Sequence, residues 1–446
     1  MQRHMCLAGD RSLSIMTIEF IIHEERNLGG SSKSAWGKLS ANGTSRHELE
    51  TMPFSAESNL APMRFLFAAN TPRDPNLGAA GCDLATIEAL RDLGHEVDEI
   101  WGTDMPHRIA HPNLHQLLEL PGNFARAVDD RCQKKVYDVI QVNQPHAYLA
   151  AKRHRLERRP GVFVNRSHGW EPCAREAMTK CQAGRPAVRR GLSRAMAYLI
   201  EKHNQAAIRW CDGIVLCSKN DRDYIIERQG GIAERMLALA PGVPEDFLTR
   251  LPAEDPRRWR KLLFVGHYAP YKAPEIAVHV FRHVIRSIPE CQATWVCPRQ
   301  FHSQARELIG STAGDSVTLL DWMPRDQLRT LYDQHGLIVI PSYFEGFSLT
   351  FLEAMARGMC ILGTMVGGLP QVVRHDTNGF LFRPGATDGI TECALQLIAQ
   401  PNECRRISLA ARQTAMEYTW QRAAREYAGF CHKLIQFKQA AEAARR

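Results

Sequence analysis

At 446 residues and 44% hydrophobic content, the chain is long enough for two sizeable cores. A formal charge of +8 is modest for that length; it permits attraction to an anionic lipid or nucleotide, and with no RNA-binding or zinc-finger pattern present, nucleic acid is not the expected partner. No uninterrupted apolar run is long enough to span a bilayer, and 13 scattered cysteines, without C-x-x-C or Cys/His ligand spacing, read as reduced thiols of a cytoplasmic protein.

Residues 1–62 are rich in Ser, Asn, Gly and charge, with one apolar patch around Ile15 to Ile22, and read as a poorly ordered extension. A strand is expected at 64–69, a loop at 70–81, and a helix with Leu84, Ile87 and Leu90 in phase that ends at Gly94. A second strand follows at 95–101. Strand, glycine-containing loop, helix, strand is the opening of a doubly wound α/β sheet, although G-x-x-G at 78–81 is not the dinucleotide fingerprint. His107, His111 and His115 fall at helical spacing, but Pro112 interrupts that helix and no acidic or cysteine partner reads as near, so exposed histidines are expected in place of a metal site.

Further strands are expected at 138–142 and 161–165. The ends of these two carry Asn143, Gln144 and His146, and then Ser167, His168, Gly169 and Trp170. Open α/β sheets bind ligands at such strand ends. Six Arg or Lys residues between Arg175 and Arg194 fit either an acceptor-side patch for a phosphorylated or membrane-bound substrate or an exposed basic face. A helix over 192–210 and a strand over 211–218 follow. The polar, proline-containing stretch 249–260 marks the boundary between a first domain, 63–248, and a second, 249–424.

The second domain opens with a strand at 262–266, followed by His267 to Ala273, strands at 293–297 and 317–320, and a helix at 327–334. Residues 337–373 carry most information. A buried strand ends at Pro341 and Ser342, a loop holds Glu345 and Gly346, a helix runs over 348–357, Gly358 ends it, and a strand returns at 360–362. Glu345 and Glu353 are eight positions apart. In a continuous helix that places them roughly 12 Å apart along the axis, whereas carboxylates that cleave a sugar bond as a couple stand roughly 5 to 9.5 Å apart. Such a pair suits the two ends of a long, hydroxyl-rich ligand, with a helix N-terminus between them for a phosphate.

The string P-S-x-x-E-G-F-x-L-x-x-L-E-A-M-A-x-G from Pro341 to Gly358, with G-G-x-P at 367–370 and N-G-F-L at 378–381, resembles the nucleotide-binding signature of the family 4 retaining glycosyltransferases. The likeness spans roughly residues 63–437 and is dense from 317 to 386. It implies the GT-B fold: two Rossmann-like, doubly wound α/β domains facing across a cleft, closed by a C-terminal helix (425–446) that crosses back to the first. It also implies transfer of a sugar from a nucleotide-diphosphate sugar to a glycan or lipid-linked acceptor with retention, in the cytoplasm or at the inner face of the membrane. Residue by residue, the resemblance assigns the donor sugar to Glu345, the ribose to Glu353, the diphosphate to Lys272, and a place beside the sugar and leaving phosphate to His168. Gly78 would approach the diphosphate, and Gly266, His267, Gly346, Phe347, Ser348 and Leu349 would complete the donor pocket. The segment Asp321 to Met323 would lie near the base. No cofactor or metal is implied, because no Asp-x-Asp pattern stands near the phosphate site.

Leu77 precedes Gly78 where the family usually has two adjacent glycines, and three further positions depart from that pattern. His267 replaces an arginine, Ala273 a glycine and Gln371 a glutamate. A partly charged histidine at 267 predicts diphosphate binding that is weaker or pH-dependent, while a neutral imidazole is expected at 168. The rival readings are a donor-binding or scaffold protein without turnover, and a GT-B epimerase or a sugar phosphorylase.

Overall fold

The computed structural model describes residues 60–143, 145–181, 190–251, 255–310 and 316–444. The extension expected over 1–62 thus falls almost wholly outside the described residues, as does Gln144.

The described residues form two six-stranded parallel sheets with their helices. The first holds β1 (Arg64–Ala68), β2 (Glu96–Ile100), β3 (Val139–Asn143), β4 (Val162–Ser167), β5 (Gly213–Leu216) and β6 (Met236–Ala238), in the order β2-β1-β3-β4-β5-β6. The second holds β7 (Lys261–Val265), β8 (Gln292–Val296), β9 (Val317–Leu320), β10 (Leu337–Ile340), β11 (Cys360–Thr364) and β12 (Phe380–Phe382), in the order β12-β11-β10-β7-β8-β9. Near-continuous apolar runs such as FLFA, LLFV and LIVI suit strands that are covered on both faces.

Side-chain alternation gives each sheet two cores. In β1, Phe65 and Phe67 pack with Leu84 and Ile87 of the helix Gly78–Asp92, while Leu66 and Ala68 pack with Phe124 of the helix Leu120–Cys132 on the other face. In the second sheet, Leu262 and Phe264 meet Phe281 of the helix Pro274–Ser287, and Leu263 and Val265 meet Phe351 and Leu352 of the helix Leu349–Ala356. The chain passes between the sheets twice, and the passages run side by side, with Val243 bridging Thr419 and its N–H donating to the Tyr418 carbonyl at 2.7 Å. The helix Trp420–Ala443 then buries Tyr427, Phe430 and Leu434 in the core of the first sheet.

Strand order reverses between β1 and β3 in the first sheet and between β7 and β10 in the second. Loops leaving adjacent strands diverge there and open a crevice at the carboxyl ends, where ligands bind in doubly wound sheets. Most expected elements occur within a few residues. The first helix begins at Gly78, inside the loop expected over 70–81, and the helix after Glu345 begins at Leu349. Only part of the interval from Glu345 to Glu353 is therefore helical, and the axial spacing assumed for that pair does not apply.

The histidine reading needs correction. His115 is buried, its Nδ1 lies 2.7 Å from Glu119, and His107 stacks on it with ring centroids 3.8 Å apart. Glu119 lies four positions on, one helical turn away, so the acidic partner was within reach all along. Among the described residues no group of His, Cys, Asp and Glu is placed to hold a metal ion, and no helix is long and apolar enough to cross a membrane.

Candidate functional site

Sheet topology brings Lys272 and Glu345 together. Lys272 lies in the loop after β7 and Glu345 in the loop after β10, the two strands flanking the switch point of the second sheet. Lys272 Nζ donates to both carboxylate oxygens, at 2.7 and 2.9 Å, and the Ser342 hydroxyl donates to Glu345 Oε1 at 2.7 Å. Burial works against the lysine charge, but the Glu345 carboxylate outweighs it and raises the ammonium above the ordinary lysine value. An ammonium has three donors, so at least one stays available for a ligand.

Both loops contain a non-glycine residue in the left-handed region: Ala273, φ 48°, directly after Lys272, and Ser348, φ 69°, directly before the helix Leu349–Ala356. An L-residue in that region costs roughly 1–2 kcal/mol and persists where its surroundings hold it. Ala273 is fully buried in the core beneath the loop, and its neighbour Lys272 is held by Glu345. The glycine of the resembling signature would take this φ without penalty, so Ala273 keeps the loop shape and adds strain.

Glu353 lies within the helix Leu349–Ala356 and is buried, which raises its carboxyl above the ordinary glutamate value; the Arg325 charge and the Tyr332 hydroxyl act in the opposite sense. Tyr332 Oη donates to Oε2 at 3.3 Å, and Arg325 Nε stands 3.7 Å from Oε1, longer than a hydrogen bond. Oε1 therefore keeps acceptor capacity, as a carboxylate that grips hydroxyl groups must.

Against expectation, His267 is not partly charged at neutral pH. Burial, with the Lys272 charge added, lowers it to about 4. Its ring stacks on half-exposed Trp322, centroids 5.0 Å apart at 14°, so position 267 supplies a flat neutral surface where the resembling signature has a cation.

The first sheet contributes the opposite wall. His168 follows β4, and a side chain at Gly346 would overlap the His168 carbonyl oxygen, so the Glu345 loop rests against the His168–Gly169 backbone. Glycine is required at 346 by this close approach. His168 Nε2 lies 3.1 Å from Asp83 Oδ1 and Nδ1 lies 3.9 Å from Cys217 Sγ. Burial opposes the imidazolium, but the Asp83 carboxylate prevails and raises His168 to about 9. The ring is thus a cation at neutral pH, not the neutral group expected. Asp83 also accepts from Asn143 Nδ2 at 2.8 Å and stands 3.7 Å from the buried Arg166 guanidinium. Gly78 is the first residue of its helix, in the loop that follows β1, with open space at its Cβ position.

Asp83, Arg166, Ser342, Arg325 and Tyr332 were not picked out from sequence. Two of them carried a signal: Asp83 falls in phase with Ala80, Ile87 and Leu90, and Tyr332 with Arg325 and Leu328, each a polar group on a core-facing helical stripe. In the basic stretch, Arg175 is bound to Glu201 at 2.7 Å and to the Ala197 carbonyl, beside a groove of about 490 Å³ that shares no lining residue with the Lys272–Glu345 pair. Lys180, Arg185, Arg189, Arg190 and Arg194 lie outside the residues whose side chains are described.

Residues 260–400 match the family described as Glycosyl transferases group 1. D-inositol 3-phosphate glycosyltransferase of Streptomyces bingchenggensis is 27% identical over 238 residues, covering 48% of this chain and 51% of the relative. The chain therefore spans about half the length of that relative. Among solved structures, sucrose-phosphate synthase of Thermosynechococcus elongatus is similar at a TM-score of 0.67 and 18% identity, over 84% of this chain and 99% of that one. Anabaena HepE in complex with UDP and glucose is similar at a TM-score of 0.61 and 18% identity, over 83% of this chain and 100% of that one. The two doubly wound sheets across a cleft are a GT-B fold.

Proposed function

We propose that the chain is a glycosyltransferase that moves a sugar from a nucleoside-diphosphate sugar to a glycan, glycolipid or other hydroxyl-bearing acceptor, keeping the configuration of the sugar's reacting carbon. The observation that carries this reading is the buried Lys272–Glu345 pair at the switch point of the second sheet, pressed through Gly346 against His168 of the first. The group 1 match over residues 260–400 and the UDP and glucose held by HepE support a donor of this class. The name of the Streptomyces relative makes an inositol phosphate an acceptor to test.

In this reading Glu353 accepts from the ribose hydroxyls, which the Tyr332 hydroxyl leaves room for, and Glu345 accepts from hydroxyls of the donor sugar. The spare N–H of Lys272 and the charged ring of His168 lower the energy of the negative charge that builds on the departing diphosphate. Stacked against Trp322, neutral His267 removes one cation from the diphosphate grip, and the imidazolium of His168 restores a positive charge on the opposite wall. The bond from the sugar carbon to the phosphate oxygen breaks as the bond to the acceptor oxygen forms on the same face. The acceptor's proton leaves with the diphosphate. Isolation of a covalent glycosyl-enzyme would refute this route.

Nucleotide release from UDP-, GDP- and ADP-sugars, with and without an inositol phosphate, tests the proposal. Sugar-dependent release is expected in the unaltered chain and is lost in Lys272→Ala and Glu353→Ala. Tight binding of a donor without release in the presence of acceptors would favour a binding protein, and binding of no donor would end the reading.

A further inference from the structure

Arg325 touches both walls of the cleft. It is the first residue of the helix Arg325–Gln334, directly after Pro324, and its side chain is about four-fifths buried. One edge of the guanidinium faces the second sheet's buried carboxylate, with Nε 3.7 Å from Glu353 Oε1. The other reaches the first helix of the first sheet, where a methyl group on Gly81 would lie 2.8 Å from Arg325 Nη2 and 2.5 Å from the Pro75 carbonyl oxygen. The Arg325 main-chain N–H adds a contact to the same loop, 3.4 Å from Asn76 Oδ1. Glycine at 81 keeps open the space that this guanidinium uses.

A guanidinium is rigid, planar and permanently charged, with five donors in fixed directions. It can therefore serve Glu353 with one edge and the β1 loop with the other at once, and a shift at one end moves the other. Lysine reaches either partner but not both with fixed geometry.

We propose that Arg325 is a positioning residue that couples nucleotide binding at Glu353 to the seating of the Pro75–Gly81 turn across the cleft. The proposal rests on the reading of Glu353 as the nucleotide's carboxylate. When ribose hydroxyls take up Oε1, the guanidinium keeps its place between the carboxylate and the first helix, so the donor binds best when the two walls are in register. A residue of the first sheet that never touches the nucleotide then influences its affinity.

The test is a double-mutant cycle on nucleotide affinity, read by calorimetry with whichever of UDP, GDP and ADP the unaltered chain binds. Arg325→Gln is expected to weaken binding about tenfold, and Gly81→Ala, on the opposite wall, about three- to tenfold. In the double variant the part of the Gly81→Ala effect that acts through the guanidinium disappears and the part due to the Pro75 carbonyl stays, so the two effects sum to less than additive. Arg325→Lys keeps the charge beside Glu353 and recovers affinity only in part, and it does not restore sensitivity to Gly81→Ala. Asn76→Ala removes the acceptor of the Arg325 main-chain N–H and perturbs the turn without touching the Pro75 carbonyl; it should weaken binding in both backgrounds, because Arg325→Gln keeps that N–H. Additive effects of Arg325→Gln and Gly81→Ala, or an unchanged affinity in Gly81→Ala and Asn76→Ala, overturn the coupling. If the unaltered chain binds no nucleoside diphosphate, it is the functional reading that fails; if it binds and the cycle is additive, only the coupling fails.

Discussion

Asp83→Asn isolates the source of the positive charge on His168. The substitution conserves shape and can still accept from Asn143, but it removes the carboxylate that lies 3.1 Å from the imidazole. Raising His168 from 6.5 to about 9 is worth about 3 kcal/mol at 1.36 kcal/mol per pH unit. Because this pKa is raised on folding, its stabilisation is complete below pH 6.5 and disappears as the pH climbs through about 9. Asp83 is lowered below 3.8: burial opposes its charge, but His168 and Arg166 prevail, so its share is complete above 3.8 and is lost as the pH falls through the lower native value. The pair is thus strongest between about pH 4 and 6.5. Asp83→Asn should lose about 3 kcal/mol through His168 at about pH 6, a loss that vanishes by about pH 9.5, in addition to the cost at both pH values of an Arg166 without its carboxylate. Urea unfolding at both pH values measures the difference. Proton NMR titration of His168, assigned by its absence in His168→Gln, reads the midpoint directly. A midpoint near 6.5 in the unaltered chain, or the same midpoint in Asp83→Asn, would refute the reasoning. Transfer activity should fall in parallel as the pH passes about 9, since the cation on the first wall is lost there.

Two further outcomes follow from the loops of the second sheet. With His267 lowered to about 4, nucleotide affinity should stay flat from about pH 6 to 8; a binding titration with a midpoint near 6.5 that disappears in His267→Gln would contradict this. Ala273→Gly should be near neutral in thermal unfolding, because relief of roughly 1–2 kcal/mol of left-handed strain is offset by ~0.8 kcal/mol for the buried methyl and ~0.5–1 kcal/mol for added chain freedom. A destabilisation of several kcal/mol would show that the φ of 48° is not strained there.

Much of the architecture was legible because parallel strands covered on both faces must be continuously apolar, and runs such as LLFV and LIVI admit few other readings. The loops that bring Lys272 to Glu345 were legible through Lys272, Glu345, Gly346 and Glu353, whose spacing follows from strand, loop and helix in immediate succession. Protonation states were not. His168 and His267 are the same residue type in similar loops, yet one is raised to about 9 and the other lowered to about 4. The difference lies in what each faces: Asp83, from a helix 85 positions earlier, beside His168, and burial with Lys272 around His267.

Local order in the chain thus determined the two sheets, the loops that end their strands, and the residue types available at the cleft, because periodicity and turn chemistry act over a few residues. Tertiary structure alone decided which charges meet. The Lys272–Glu345 pair spans 73 positions, and the Arg325 main chain meets Asn76 across 249. Buried electrostatics depends on distance in space, which a parallel sheet sets through strand order and not through separation along the chain.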